Sequence, residues 1–219
     1  MDEPVKPTRR YDSPRRREQA SATRRDILAA AQRLFEQQGY AATTMAAVAA
    51  EARVALKTVY LAFETKSGVL RALWHLLLRG DERNDPVGER RWHLEVIEEP
   101  DPRRQLQLNA RNSRAVKERA GALLGVIRNV APTDPDISEL WSRIQTEFHG
   151  IQRQIVESLA AKGALAPGLD VTRATDILWT LNHPDVWQLL AGERGWTAEQ
   201  YEQWFGDISC AQLLARPDG

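Results

Sequence analysis

The chain has little of what several functional classes require. Its 219 residues include one cysteine, Cys210, so no intramolecular disulfide framework can form. No apolar run reaches the roughly 20 residues of a membrane span, and the N-terminus lacks the apolar stretch of a secretory signal. A soluble cytoplasmic protein with no membrane partner is the expectation. His75, His93, His149 and His183 are scattered, with no i,i+4 pair, no HExxH and no cysteine-rich metal spacing. Glycine-rich phosphate loops and a serine at a strand-to-helix elbow are missing as well. No catalytic residue, cofactor or metal is therefore expected. Cys210 falls among apolar neighbours and reads as packed rather than reactive. The period-two alternation of β-strands is absent too.

An excess of either charge is also lacking, since the formal net charge is zero. The balance is not uniform along the chain. Residues 1–66 carry twelve basic side chains against eight acidic ones, giving +4, so the remainder carries −4. A basic front and an acidic rear favour one-ended docking onto a polyanion.

What is present is helical. Residues 1–20 hold Pro4, Pro7 and Pro14 among charged residues and read as a disordered basic arm. Its Arg15-Arg16-Arg17 run could track phosphates, or could be a solvated tail. A first helix places Ile27, Leu28, Ala31, Leu34 and Phe35 on one stripe and ends at Gly39. Thr65 precedes a helix carrying Leu70, Leu73, Trp74 and Leu77 towards Gly80. Residues 81–101 are charged, with one short helix near 90–97. Asp101-Pro102 and Asp134-Pro135 each read as a cap followed by proline at the first helical position, opening two long helices. Asp170 caps a shorter one that Pro184 breaks. Thr197 and Gln200 form a capping-box pattern before the last helix, with Trp196 and Tyr201 spaced as a hydrophobic staple. The fold class is all-α: an N-terminal three-helix domain at 21–81, then a helical bundle at 82–219.

Residues 44–63 carry the chemistry. Val48, Ala49 and Ala52 form one face of a short helix, Val54 plugs a tight turn, and Val59 with Phe63 give a second helix its buried side. Leu56, Lys57, Thr58 and Tyr60 remain outside. A short, backed helix with Lys, Thr and Tyr exposed suits insertion into a DNA major groove. Thr44, Val48-Ala49, Ala52, Val54, Thr58, Tyr60, Phe63 and Lys66 also stand at the positions of the helix-turn-helix pattern of the TetR/AcrR-type transcriptional regulators. The match extends back through Arg24-Arg25-Asp26-Ile27-Leu28, Ala31, Leu34-Phe35 and Gly39-Tyr40, and forward to Leu70. The chain resembles that family over about residues 21–81. Two departures stand in the turn. Arg53 replaces the usual glycine, and Ala55 replaces the Ser or Thr that would cap the second helix. The DNA-contacting set expected from the resemblance is Thr44, Arg53, Ala55, Leu56, Lys57, Thr58, Tyr60 and Lys66. Lys66 joins the free N–H groups of its helix as a phosphate clamp.

The rear two thirds exceed what a DNA-binding head needs. Polar residues interrupt its apolar stripes: Asn109, Asn112 and Ser113 on one long helix, His149 on the next, and Trp179 and Asn182 near the end. With Trp74 they describe a small-molecule pocket. The last helix carries Tyr201, Trp204, Phe205, Ile208 and Leu213 on more than one face. With Trp187 these are the candidates for a homodimer interface, and the resemblance implies the same pairing through the final two helices. Two recognition helices must reach successive major grooves about 34–36 Å apart, which implies a palindromic operator. The expected function is a ligand-responsive DNA-binding regulator, with repression and release by a small-molecule effector implied by the resemblance. The alternative is a constitutive DNA-binding regulator without a ligand.

Overall fold

The computed structural model describes residues 14–81 and 85–215, with side chains from Arg17 onward. Every regular element among them is helical: α1 (Pro14–Ala42), α2 (Met45–Glu51), α3 (Leu56–Phe63), α4 (Lys66–Arg79), α5 (Arg91–Glu98), α6 (Pro102–Val130), α7 (Pro135–Ala161), α8 (Val171–Leu181), α9 (Pro184–Trp187) and α10 (Ala198–Leu213). Two short irregular turns accompany them, a 3-10 turn at Val87–Glu89 and a π stretch at Gln188–Glu193. The chain divides into two compact units between Val69 and Leu70, inside α4. The sequence reading puts its domain boundary at 81, after the end of α4.

In the first unit, Ile27, Leu28, Ala31 and Phe35 of α1 are buried, as their spacing requires. Gly39 takes φ 78 and breaks the helical path where the glycine was expected to end it. Tyr40 then stacks on Phe35 at 5.7 Å. The start of α1 differs from expectation. The helix begins at Pro14, within the segment read as a disordered arm. Proline fits the first helical position, and the Arg, Glu, Gln and Ala that follow need no apolar stripe to continue a helix. The rest of that arm, residues 1–13, lies outside the described residues.

The second unit is a bundle in which α6 packs on α10, α7 packs on α8, and α5 lies against α6 and α7. Its core joins Leu106 and Ala110 with Ile155, Leu159, Leu178, Tyr201, Phe205 and Leu213. The expected caps are in place. Asp101 accepts from the Arg104 N–H at 2.6 Å, Asp134 from Ile137 at 3.2 Å and Asp170 from Arg173 at 2.8 Å. Thr197 and Gln200 form both bonds of the capping box, at 3.2 and 2.8 Å. Each such cap contributes about 1 kcal/mol. The staple differs from the spacing: Trp196 meets Trp204 edge-on at 6.2 Å, while the Tyr201 ring meets Trp187 at 4.9 Å. One isolated β-bridge, Leu165 to Leu214, pins the end of α10.

Candidate functional site

The first candidate surface is built by α2, the turn after it and α3. The Thr44 hydroxyl caps α2 by accepting from the Ala47 N–H at 3.0 Å. Met45, Val48 and Ala49 are buried, and so are Val59 and Phe63 of α3. Arg24 of α1 lies over the Phe63 ring at 4.3 Å and donates to the Ala62 carbonyl at 3.0 Å, so α1 holds α3 from behind. Arg53 adopts φ 56, the left-handed conformation that the glycine-to-arginine departure implies. Ala55 occupies the N-cap position of α3 without a side-chain cap bond, which leaves the first N–H groups of α3 without that partner. Lys57 is exposed and Thr58 half-buried, while Leu56 and Tyr60 are 41% and 48% accessible.

Two findings alter the expected set. Leu61 is 76% accessible, the most exposed large apolar side chain described, and lies one turn beyond Lys57 on the same face. Its i+4 spacing from Lys57 was the signal, hidden because leucine reads as core. Lys66 is engaged inside its own unit: its ammonium donates to the Tyr40 carbonyl at 2.8 Å and lies 4.1 Å from the Tyr40 ring. It ties the end of α1 to the start of α4. The Thr65 hydroxyl caps α4 by accepting from the Gly68 N–H at 3.0 Å.

The second candidate is a cavity of about 650 Å³ in the second unit, walled by α4, α5, α6, α7 and the α8–α9 corner. Trp74, Trp92, Ile144 and Phe148 give it an apolar body. Asn109, Asn112, Ser113 and Asn182 line it. The Asn112 amide donates to the Trp92 carbonyl at 2.8 Å, which fixes α5 against α6. His149 and Trp179 are not in its wall. His149 follows Phe148 by one 100° step of α7 and turns to α8, where it meets Asp176 at 3.2 Å. Trp179 packs edge-on between His149 and His183, at 6.3 and 5.0 Å.

The residue that sequence reasoning passed over is Lys117. It lines the cavity, is buried, and donates its ammonium proton to the Asn182 side-chain carbonyl. Asn182 in turn donates to the Ser113 hydroxyl at 2.9 Å and to Gln152 at 3.4 Å. The ammonium also lies 5.1 Å from the Tyr201 ring and 5.9 Å from the Phe205 ring. Burial pulls its pKa down to about 7. The signal was positional: Leu106, Ala110, Ser113, Lys117, Ala120 and Leu124 step by three or four along one inward face. Deeper polarity is also present. Both side-chain atoms of Gln145 and the Asn109 amide nitrogen are buried without a hydrogen-bond partner. Burial lowers the pKa of His75 and His93 in the same wall, the latter against a 2.8 Å hydrogen bond to Gln154.

The expected interface residues separate into two groups. Tyr201, Phe205 and Leu213 are fully buried in the chain's own core. They repeat at i, i+4 and i+12 on the side of α10 that packs on α6, so they cannot form a surface. Trp187, Trp204 and Ile208 are half-buried.

Comparison with known proteins bears on the first site and on the fold. The family model described as bacterial regulatory proteins, tetR family, matches residues 27–73, which span α1 to α4 and include every residue of the exposed α3 face. Residues 27–73 thus resemble the DNA-binding segment of the tetR family. A curated relative from Pseudomonas putida, the probable HTH-type transcriptional regulator ArpR, is 29% identical over 170 residues, covering 73% of this chain and 76% of its own. The fold of the chain is shared with a putative transcriptional regulator from Saccharomonospora viridis solved with choline. Its TM-score is 0.70 and its identity 18%, over 90% of this chain and 100% of that one. NalD, the secondary repressor of the MexAB-OprM efflux pump in Pseudomonas aeruginosa, has TM-score 0.68 and 20% identity over 90% and 98%. The chain is thus similar to tetR-type regulators over its first four helices and shares the all-helical fold of these structures. No described helix is long and apolar enough to cross a membrane.

Proposed function

We propose that the chain is a TetR-family regulator, a repressor that binds a palindromic operator as a homodimer and leaves it when a small molecule fills the cavity of the second unit. The observation that carries the reading is that cavity, about 650 Å³, apolar in body and lined by a few convergent polar groups. Lys57, Thr58, Tyr60, Leu56 and Leu61 form the DNA-reading face, with Arg53 and Thr44 beside it. Lys57 is the donor to base edges or phosphate, and Leu61 meets a thymine methyl. Trp204, Ile208 and Trp187 contribute to the dimer surface. NalD is described as a repressor and the Saccharomonospora protein holds a small molecule, which supports the direction of control and the use of the cavity.

The switch works through α4. This helix starts on the Lys66–Tyr40 tether and later supplies Trp74, His75, Leu78 and Arg79 to the cavity wall. Arg119 of α6 donates to the Leu77 carbonyl at 3.2 Å and the Leu78 carbonyl at 3.4 Å, so α6 grips the last turn of α4. A ligand that favours a shifted α4 alters the spacing of the two reading heads, and a few kcal/mol of differential affinity releases DNA. A thermal-shift screen of small molecules, followed by operator anisotropy with each hit, tests it. A molecule that stabilises the protein and lowers operator affinity is expected. Stabilising ligands that leave operator affinity unchanged would remove the switch.

A further inference from the structure

The cavity holds a cation with no anion. Lys117 is buried in its wall, and among the described residues no carboxylate forms an ion pair with it. Glu89 and Glu147 also line the cavity, and neither contributes to the shift of Lys117, which burial alone causes. Its partners are a neutral amide, Asn182, and two aromatic rings. The titratable groups facing it are His183, which burial and the charges of Arg128 and Lys117 keep below its ordinary pKa, and Tyr201, which burial keeps protonated. Nearby, Asn109 and Gln145 hold buried amide atoms without partners. An isolated buried charge is costly, and a ligand carrying the opposite charge relieves that cost on binding.

We propose that the effector of this cavity is a weak organic acid with an aromatic or similarly apolar body, its ionised oxygens held by the Lys117 ammonium while Trp74, Trp92 and Phe148 enclose the body. This rests on the reading of the cavity as the ligand site. The anion stabilises the protonated amine, so at about pH 8, where free Lys117 is mostly neutral, binding takes up a proton from solution. A cationic ligand meets like charge instead.

The test is isothermal titration of the full-length protein with 2-naphthoate, 2-naphthamide and 2-naphthylmethylammonium, which share one ring system. The carboxylate is expected to bind at least about tenfold more tightly than the amide, with the ammonium weakest. Repeating the naphthoate titration in two buffers of different ionisation enthalpy is expected to show proton uptake. Lys117→Met is expected to abolish the preference for the carboxylate while amide binding changes by less than about threefold. Equal affinity for acid and amide in the unaltered protein overturns the proposal and leaves the ligand-responsive reading standing, as does a carboxylate preference that survives in Lys117→Met. No binding of naphthoate also overturns it, whereas the ligand reading itself falls only with the thermal-shift and operator experiment above.

Discussion

Replacing Lys117 by methionine is expected to stabilise the protein near neutral pH and to destabilise it in alkali. The side chain is buried with its pKa lowered to about 7 from an ordinary 10.5. In the unfolded chain the amine is protonated up to its ordinary pKa, whereas in the folded chain it gives up the proton some three units earlier. The unfolded state thus binds more protons between those values, and stability rises with pH across that window. At pH 7 the burial of this group costs about 4 kcal/mol. Methionine, of similar length and volume, avoids the cost but leaves the Asn182 carbonyl without its donor, a loss of about 1–3 kcal/mol. The variant is therefore more stable by roughly 1–3 kcal/mol at neutral pH. The advantage shrinks as pH rises and reverses as the ordinary lysine pKa is approached. His183 and Tyr201 do not confuse the comparison, because one stays neutral and the other stays protonated through this window. Urea unfolding of both proteins in steps from neutral pH upward measures the difference at each pH. A difference that stays constant with pH would refute the argument, because it would mean that Lys117 folds with an ordinary pKa.

Two further substitutions probe the first unit. Gly68→Ala would place a Cβ 2.2 Å from the Phe63 carbonyl oxygen, a backbone atom that cannot move aside. A loss of about 1–3 kcal/mol or more is expected in chemical denaturation, and an unchanged midpoint would show that the α3–α4 corner is looser than described. Arg53→Gly removes a left-handed arginine and is expected to raise stability by about 1 kcal/mol in a thermal melt. If Arg53 also contacts phosphate, the same variant lowers the salt slope of DNA binding by about one, and an unchanged slope dismisses that contact.

Legibility in the sequence followed how local each signal was. Asp101, Asp134, Asp170 and the Thr197–Gln200 pair were readable because a cap depends on its own next three residues. Arg53 stood out because the family pattern has glycine at that position, and its φ of 56 gives the physical reason. Pro14 carries the same signal as Pro102 and Pro135, but the arginine run after it offered no apolar stripe to confirm a helix. Tyr201, Phe205 and Leu213 could not be assigned from sequence, since an apolar face does not reveal whether its partner is α6 or a second chain. The same holds for the cavity. Asn109, Asn112, Ser113 and Asn182 were found because polar residues on an apolar stripe stand out, whereas His149 and Trp179 sit one helical step off the inward face. Lys117 was passed over because lysine is almost never buried, although its place on the α6 stripe required it.

DNA reading by α3 is measured by fluorescence anisotropy of DNA from immediately upstream of the gene, titrated with the protein across a range of salt. Specific, salt-dependent binding to one inverted-repeat fragment is expected, lost in a Lys57→Ala, Tyr60→Ala double variant whose thermal melt is unchanged. Binding no tighter than to unrelated DNA, or full binding by the folded double variant, would contradict α3 as the reading helix.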